Sequence, residues 1–60
     1  MTKIKNVPTW AWKKYYFVAR YVDGEWWFYD AWNENESRDA MTQAWEIDGE
    51  VLRADRCVEG

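Results

Sequence analysis

A chain of sixty residues with one cysteine and no histidine excludes an intrachain disulfide, a structural zinc site and any histidine-dependent nucleophile. A core of this size is marginal without staples or a partner; the substitute is a set of six Trp, four Tyr and two Phe, each able to bury about 150–250 Å². The formal net charge of −3 weighs against direct nucleic-acid binding, whose affinity comes largely from neutralising phosphates.

That charge is unevenly spread. Residues 1–22 hold five Lys or Arg and no acid, whereas residues 23–60 hold eleven acids and three bases. Within residues 30–50 there are seven acids against Arg38 alone. The split predicts a dipolar surface with one strongly negative side.

Residues 1–12 read as an N-terminal arm. They show no clear periodicity, and Pro8 pushes Val7 towards an extended shape, so this stretch is an arm or a short edge strand. Trp10 and Trp12 follow at alternating positions. If the extended run continues, both point to the same side as Tyr16, either completing the core there or forming an aromatic platform or dimer seam. Residues 13–58 then form a single domain.

The domain is organised around residues 15–32. Two aromatic and β-branched runs flank Asp23-Gly24, the strongest short-range hairpin signal, because a type I′ turn needs φ > 0 at both central residues. The register places Val22 opposite Glu25, Tyr21 opposite Trp26, Arg20 opposite Trp27, Ala19 opposite Phe28 and Val18 opposite Tyr29. Side chains alternate between faces. Tyr15, Phe17, Ala19, Tyr21, Trp26, Phe28 and Trp32 make a nearly pure apolar face, the expected core, with Asp30 its only charge. Tyr16, Val18, Arg20, Val22, Glu25, Trp27, Tyr29 and Ala31 make a mixed face that is unusually aromatic.

A loop leads from the hairpin into a helix. Asn33 with Glu36 fits a capping box, with Asn35 as an alternative N-cap. Helical spacing runs from about 36 to 47. Ala40, Met41, Ala44, Trp45 and Ile47 fall on one side, and Glu36, Asp39, Thr42, Gln43 and Glu46 on the other. Gly49 reads as the residue that ends the helix in the left-handed conformation. Small Ala40 and Ala44 are expected to seat the helix on the apolar sheet face, with Met41 and Trp45 filling its flanks.

Residues 50–58 read as a third strand, with Leu52, Ala54 and Val58 on one side and Val51, Arg53, Asp55 and Cys57 on the other. The expected fold is α+β, in the order β-β-α-β. Its three-stranded, mainly antiparallel sheet carries one helix on one face. The third strand is placed beside the first and antiparallel to it, after a right-handed crossover.

Catalytic motifs are absent. Cys57 beside Arg56 reads as an incidental thiol. The oxygen-rich loop 30–37 lacks the spacing of a calcium hand, and capping accounts for its asparagines. Three glycines form no phosphate loop. We therefore expect no enzyme, cofactor or metal. No stretch is long and apolar enough to span a bilayer, and no signal peptide is read. The lone thiol argues against an oxidising compartment, so a cytoplasmic location is expected. Asn35-Glu36-Ser37 is then a chance glycosylation match.

The acids are the feature that asks for a function. Asp39 and Glu46 lie about 10 Å apart along a helix axis, and phosphates on one DNA strand repeat about every 3.4 Å of rise. Asp30, Glu34, Glu36, Asp39, Glu46, Asp48 and Glu50 can therefore imitate a short phosphate ladder. The plainer alternative is a solvated face that keeps a Trp-rich domain soluble.

In its small size, aromatic packing and acidic run from Asp30 to Glu50, the chain resembles small acidic phage-encoded inhibitors of the anti-CRISPR kind, several of which mimic DNA. The resemblance implies docking on a basic nucleic-acid-binding surface of a Cas effector complex, in the host cytosol; the acidic charge and the lack of a long apolar stretch lead us to expect neither direct nucleic-acid nor membrane binding. The basic N-terminal half departs from a uniformly acidic mimic. A second functional expectation is a module that binds a peptide, a carbohydrate or its own copy through Trp27, Tyr29 and Tyr16 on an open aromatic sheet face. A monomer or weak homodimer is expected.

Overall fold

Asp23 and Gly24 adopt φ values of 53° and 81°, the left-handed pair a type I′ turn requires. In this computed structural model, which describes residues 2–57, the turn joins β2 (Tyr16–Val22) to β3 (Glu25–Trp32). Pairing near the turn follows the expected alternation, from Val22–Glu25 to Ala19–Phe28. Beyond it the register shifts: Val18 pairs with Asp30, Phe17 with Ala31 and Tyr16 with Trp32. Tyr29 is the extra residue of a β-bulge, and the expected Val18–Tyr29 pair does not form. The reason lies in Asp30. Strict alternation places its carboxylate in the apolar face, whereas the bulge carries Asp30 and Trp32 to the other face and puts Ala31 in their place.

Two short strands complete the sheet. The arm contributes β1 (Thr2–Lys3), antiparallel to β3 with Thr2 opposite Phe28. After the helix, β4 (Glu50–Arg53) runs antiparallel to β2, with Phe17 opposite Leu52 and Val18 opposite Val51. The order is β1-β3-β2-β4. The placement of the last strand beside the first hairpin strand agrees with expectation. The strand count does not: the sheet has four strands, because the arm supplies backbone donors and acceptors to the free edge of β3. The last strand is also shorter than the expected 50–58. It ends at Arg53 and turns through Ala54–Arg56, with the Ala54 amide donating to Tyr15 O at 2.9 Å. Val58 lies outside the described residues.

Both faces of the sheet are buried. On one, Phe17, Phe28 and Ala31 pack with Val7, Ala11 and Ala54, joined by Ile4, Trp12, Leu52 and Cys57. This is the apolar face expected to receive the helix, and the N-terminal segment covers it instead. A 3-10 turn (Ile4–Asn6) and a single helical turn, α1 (Thr9–Trp12), lie across it. Ala11 is fully buried. Trp12 meets Phe17 edge-on at 5.0 Å and Trp10 meets Phe28 at 6.4 Å. The two tryptophans are thus helical rather than extended, and lie on the face opposite to the one expected.

The long helix α2 (Ser37–Glu46) packs on the mixed face. Ala40 and Ala44 close over Val18, with Tyr16, Tyr29, Trp32, Ile47 and Val51 around them. The expected seating is corrected for a steric reason. Two alanines let a helix approach closely only where the sheet offers a small surface, and Val18 does so where Phe17 and Phe28 do not. The helix is entered through a 3-10 turn (Glu34–Glu36) with the expected capping box, Asn33 N–H donating to Glu36 Oε1 at 2.9 Å. It ends in a Schellman motif: Gly49 N–H bonds Ala44 O at 2.7 Å and Asp48 N–H bonds Trp45 O at 3.3 Å. The left-handed residue is Asp48, φ 58°, not Gly49. Gly49 follows because a Cβ there sits 2.5 Å from the Ala19 carbonyl oxygen. No helix among the described residues is long and apolar enough to cross a membrane.

Candidate functional site

The orientation of α2 decides what the protein displays. Gln43, expected on the outer side, faces the sheet. Its Oε1 accepts the Trp32 indole N–H at 2.9 Å, and its Nε2 donates to Asp30 Oδ2 at 3.3 Å. Asp30 Oδ1 accepts the Ala31 amide at 2.8 Å. The bulge thus places a carboxylate and an indole under the helix, and Gln43 satisfies both. With Gln43, Ala40, Ala44 and Ile47 turned inward, the rotation of about 100° per residue sends Trp45 out into solvent.

Trp45 is 86% exposed, and Met41, one turn earlier, is 63% exposed. Neither fills a flank of the core, as the helical wheel suggested; the core they were expected to complete is sealed by the N-terminal segment. A tryptophan buries most of its surface in a typical fold. Here the indole stands on a rigid helix beside its Met41 neighbour at i−4, on the face that also carries Arg38 and Thr42.

The expected acidic surface divides in two. Asp30 and Glu36 are half-buried and are engaged by backbone and side-chain donors. Glu34, Asp39, Glu46, Asp48 and Glu50 are exposed. Glu34, Asp39, Glu46 and Asp48 lie on α2, on the turn that enters it and on the turn that leaves it, whereas Glu50 opens β4 opposite Ala19 and so belongs to the Phe17 and Leu52 face, away from the helix. Among the described residues the ion pairs are Lys3–Glu25 at 3.3 Å and Arg53–Asp55 at 3.1 Å, so none of these five acids is paired there. The surface is therefore a helix with carboxylates at both ends and along its flank, and an exposed Met41–Trp45 pair on its C-terminal half.

The aromatic alternative changes shape. Tyr16 and Tyr29 lie half-buried beneath α2, so the sheet face expected to be open is covered there. Trp27 is half-buried near the free end of the hairpin, with Lys3 Nζ 5.9 Å from its ring centroid. The structure thus gathers four of the seven expected acids, Glu34, Asp39, Glu46 and Asp48, on and beside α2, and adds Trp45 and Met41, which the sequence reading placed in the core. The signal that points to Gln43 is Asp30 itself: a charge in an aromatic strand needs a polar partner from the element that packs on it.

No family model, no curated protein and no solved structure matches the chain.

Proposed function

We propose that this protein is a non-enzymatic, acidic binding protein that docks through the outer face of α2 onto a basic, nucleic-acid-binding surface of a larger complex. A Cas effector is the target class that the anti-CRISPR resemblance names. The observation that carries this reading is the exposed Trp45–Met41 pair on α2 with Glu34, Asp39, Glu46 and Asp48 exposed on and beside the same helix. Carboxylates of one sign steer encounter with a basic groove and make association salt-sensitive. An exposed indole on a rigid helix supplies what charge alone does not, a desolvated anchor of the kind that dominates interface energetics. The acids stand in for phosphates, and Trp45 inserts beside them much as a base or side chain does. Binding excludes the nucleic acid by occupancy, with no chemical step.

Affinity capture from bacterial lysate tests it, using three tagged proteins: wild type, the Asp39→Lys/Glu46→Lys/Asp48→Lys variant, and Trp45→Ala. The captured complex is then challenged with duplex DNA and with salt. The expected result is a basic nucleic-acid-binding complex held by wild type, displaced by DNA and by high salt, lost with the charge reversal, and weakened by about 2 kcal/mol or more with Trp45→Ala. Capture that survives charge reversal and is indifferent to DNA overturns the mimic and leaves the acids as a solubilising surface.

A further inference from the structure

On the sheet face opposite α2, residues 5–15 and 54–57 build an open groove of about 630 Å³. One wall comes from the N-terminal segment. Pro8 starts the single turn of α1, buried Ala11 pins it, and Trp12 is held edge-on against Phe17. The other wall comes from the turn Ala54–Arg56, where the Ala54 N–H donates to Tyr15 O and Cys57 packs against the same core. Tyr15 lies between them, and Lys5 and Lys14 complete the lining.

The charge of this groove is opposite to that of the molecule. Lys5 and Lys14 bring two ammonium groups, and neither is ion-paired among the described residues. Arg53 stacks its guanidinium 4.7 Å over the Tyr15 ring. Asp55 is the one acid in the lining, and Arg53 already holds its carboxylate at 3.1 Å. The groove therefore joins an apolar, aromatic lining to a positive rim inside an acidic protein. Its volume lies within the roughly 300–1,000 Å³ of small-molecule sites, which pair an apolar lining with a few orienting polar groups.

We infer that this groove binds a small aromatic anion, a planar ring packed against Trp12 and Tyr15 with its carboxylate or phosphate held by Lys5 and Lys14. The ring accounts for the aromatic and apolar lining, and the anion for the two lysines, whose compact charges suit either group. A cation is repelled, and a neutral ring leaves the lysines without a role. The site is independent of the α2 surface, because α2 packs on the other face of the sheet, and it gives the basic N-terminal half a use that an acidic mimic does not.

The test is an NMR titration of the intact ¹⁵N-labelled chain with four probes: indole-3-acetate, adenosine 5′-monophosphate, inorganic phosphate and adenosine. The expected result is saturable shifts of the Trp12 indole N–H and the Ala54 and Cys57 amides with one or both ring-bearing anions. The indole signals of Trp10 and Trp45 stay in place. Response to indole-3-acetate alone assigns a carboxylate, and response to the nucleotide alone assigns a phosphate. Lys5→Glu/Lys14→Glu is expected to weaken binding about tenfold or more, a factor of ten being one decade in Kd. Both lysines lie outside the core; should the double reversal disturb the spectrum at large, Lys5→Gln/Lys14→Gln makes the same test. Phosphate binding as tightly as the nucleotide, adenosine binding as tightly, affinity unchanged in the variants, or no saturable shift with any probe each overturns the inference.

Discussion

Asp48 and Gly49 divide between them two duties that one glycine often performs. Asp48 holds the left-handed φ of 58° that closes the helix, and Gly49 provides clearance beneath the Ala19 carbonyl. Asp48→Gly is expected to raise stability by about 0.5–1 kcal/mol, because glycine adopts this conformation without the steric cost. Gly49→Ala is expected to lower it by about 1–3 kcal/mol, since the added methyl meets backbone that cannot rotate away. Urea unfolding of both variants measures the pair. Asp48→Gly is also informative for binding, as it removes one carboxylate of the docking face while strengthening the fold. Cys57 makes a second residue-scale prediction. Burial, with the nearby Asp55 carboxylate adding to it, pushes its thiol above the ordinary value. Its Sγ donates to Arg53 O at 3.4 Å, so the folded state holds the thiol proton more tightly than the unfolded state. That contribution to stability is complete below the unfolded thiol pKa and is lost as pH rises through the higher folded value. Thiol-reagent kinetics across the mildly alkaline range are expected to show Cys57 reacting more slowly in the folded chain than in urea.

At the scale of elements, the bulge in β3 and the face of α2 are one decision. The bulge brings Asp30 and Trp32 under the helix, and Gln43 is the side chain that satisfies both. Gln43→Ala strips the indole N–H and one carboxylate oxygen of their partner. Such a loss costs about 1–3 kcal/mol when the groups stay away from water. A double-mutant cycle with Trp32→Phe is expected to recover part of that loss, because the second change removes the orphaned donor. A cycle with no coupling rejects the clamp. Trp45→Ala, by contrast, is expected to change stability by no more than about 0.5 kcal/mol, since the ring is 86% exposed. A large loss of binding with little loss of stability separates a docking residue from a core one.

For the whole molecule, the N-terminal segment is a structural layer. Residues 2–12 supply β1 and cover Phe17 and Phe28 with Val7, Ala11 and Trp12. Deleting them uncovers the sheet face opposite α2 and frees the edge of β3. Residues 13–60 alone are expected to lose near-UV circular dichroism and to bind a hydrophobic dye, the signature of a collapsed chain without fixed packing. A cooperative unfolding transition retained by that fragment rejects this layer as essential. The same arrangement sets Glu34, Asp39, Glu46 and Asp48, on and beside α2, on the other side of the sheet from Lys5 and Lys14.

Local chemistry alone determined the hairpin and its type I′ turn, the capping box at Asn33 and the helix. Each depends on neighbouring residues: a turn that needs positive φ, a cap three residues from its partner, a 3.6-residue period. The segregation of acids into residues 30–50 was equally legible, because it is a count. Only the tertiary structure decided which sheet face takes the helix, because Phe17 and Val18 differ in the approach they allow to Ala40 and Ala44, across a separation that no periodicity reports. It decided the bulge, because the misplaced charge of Asp30 is relieved by Gln43 from a later element. It also decided the fate of the tryptophans. A wheel gives the angle between Ala44 and Trp45 but not the direction of the core, and with Ala40, Gln43, Ala44 and Ile47 turned to the sheet Trp45 is left in solvent.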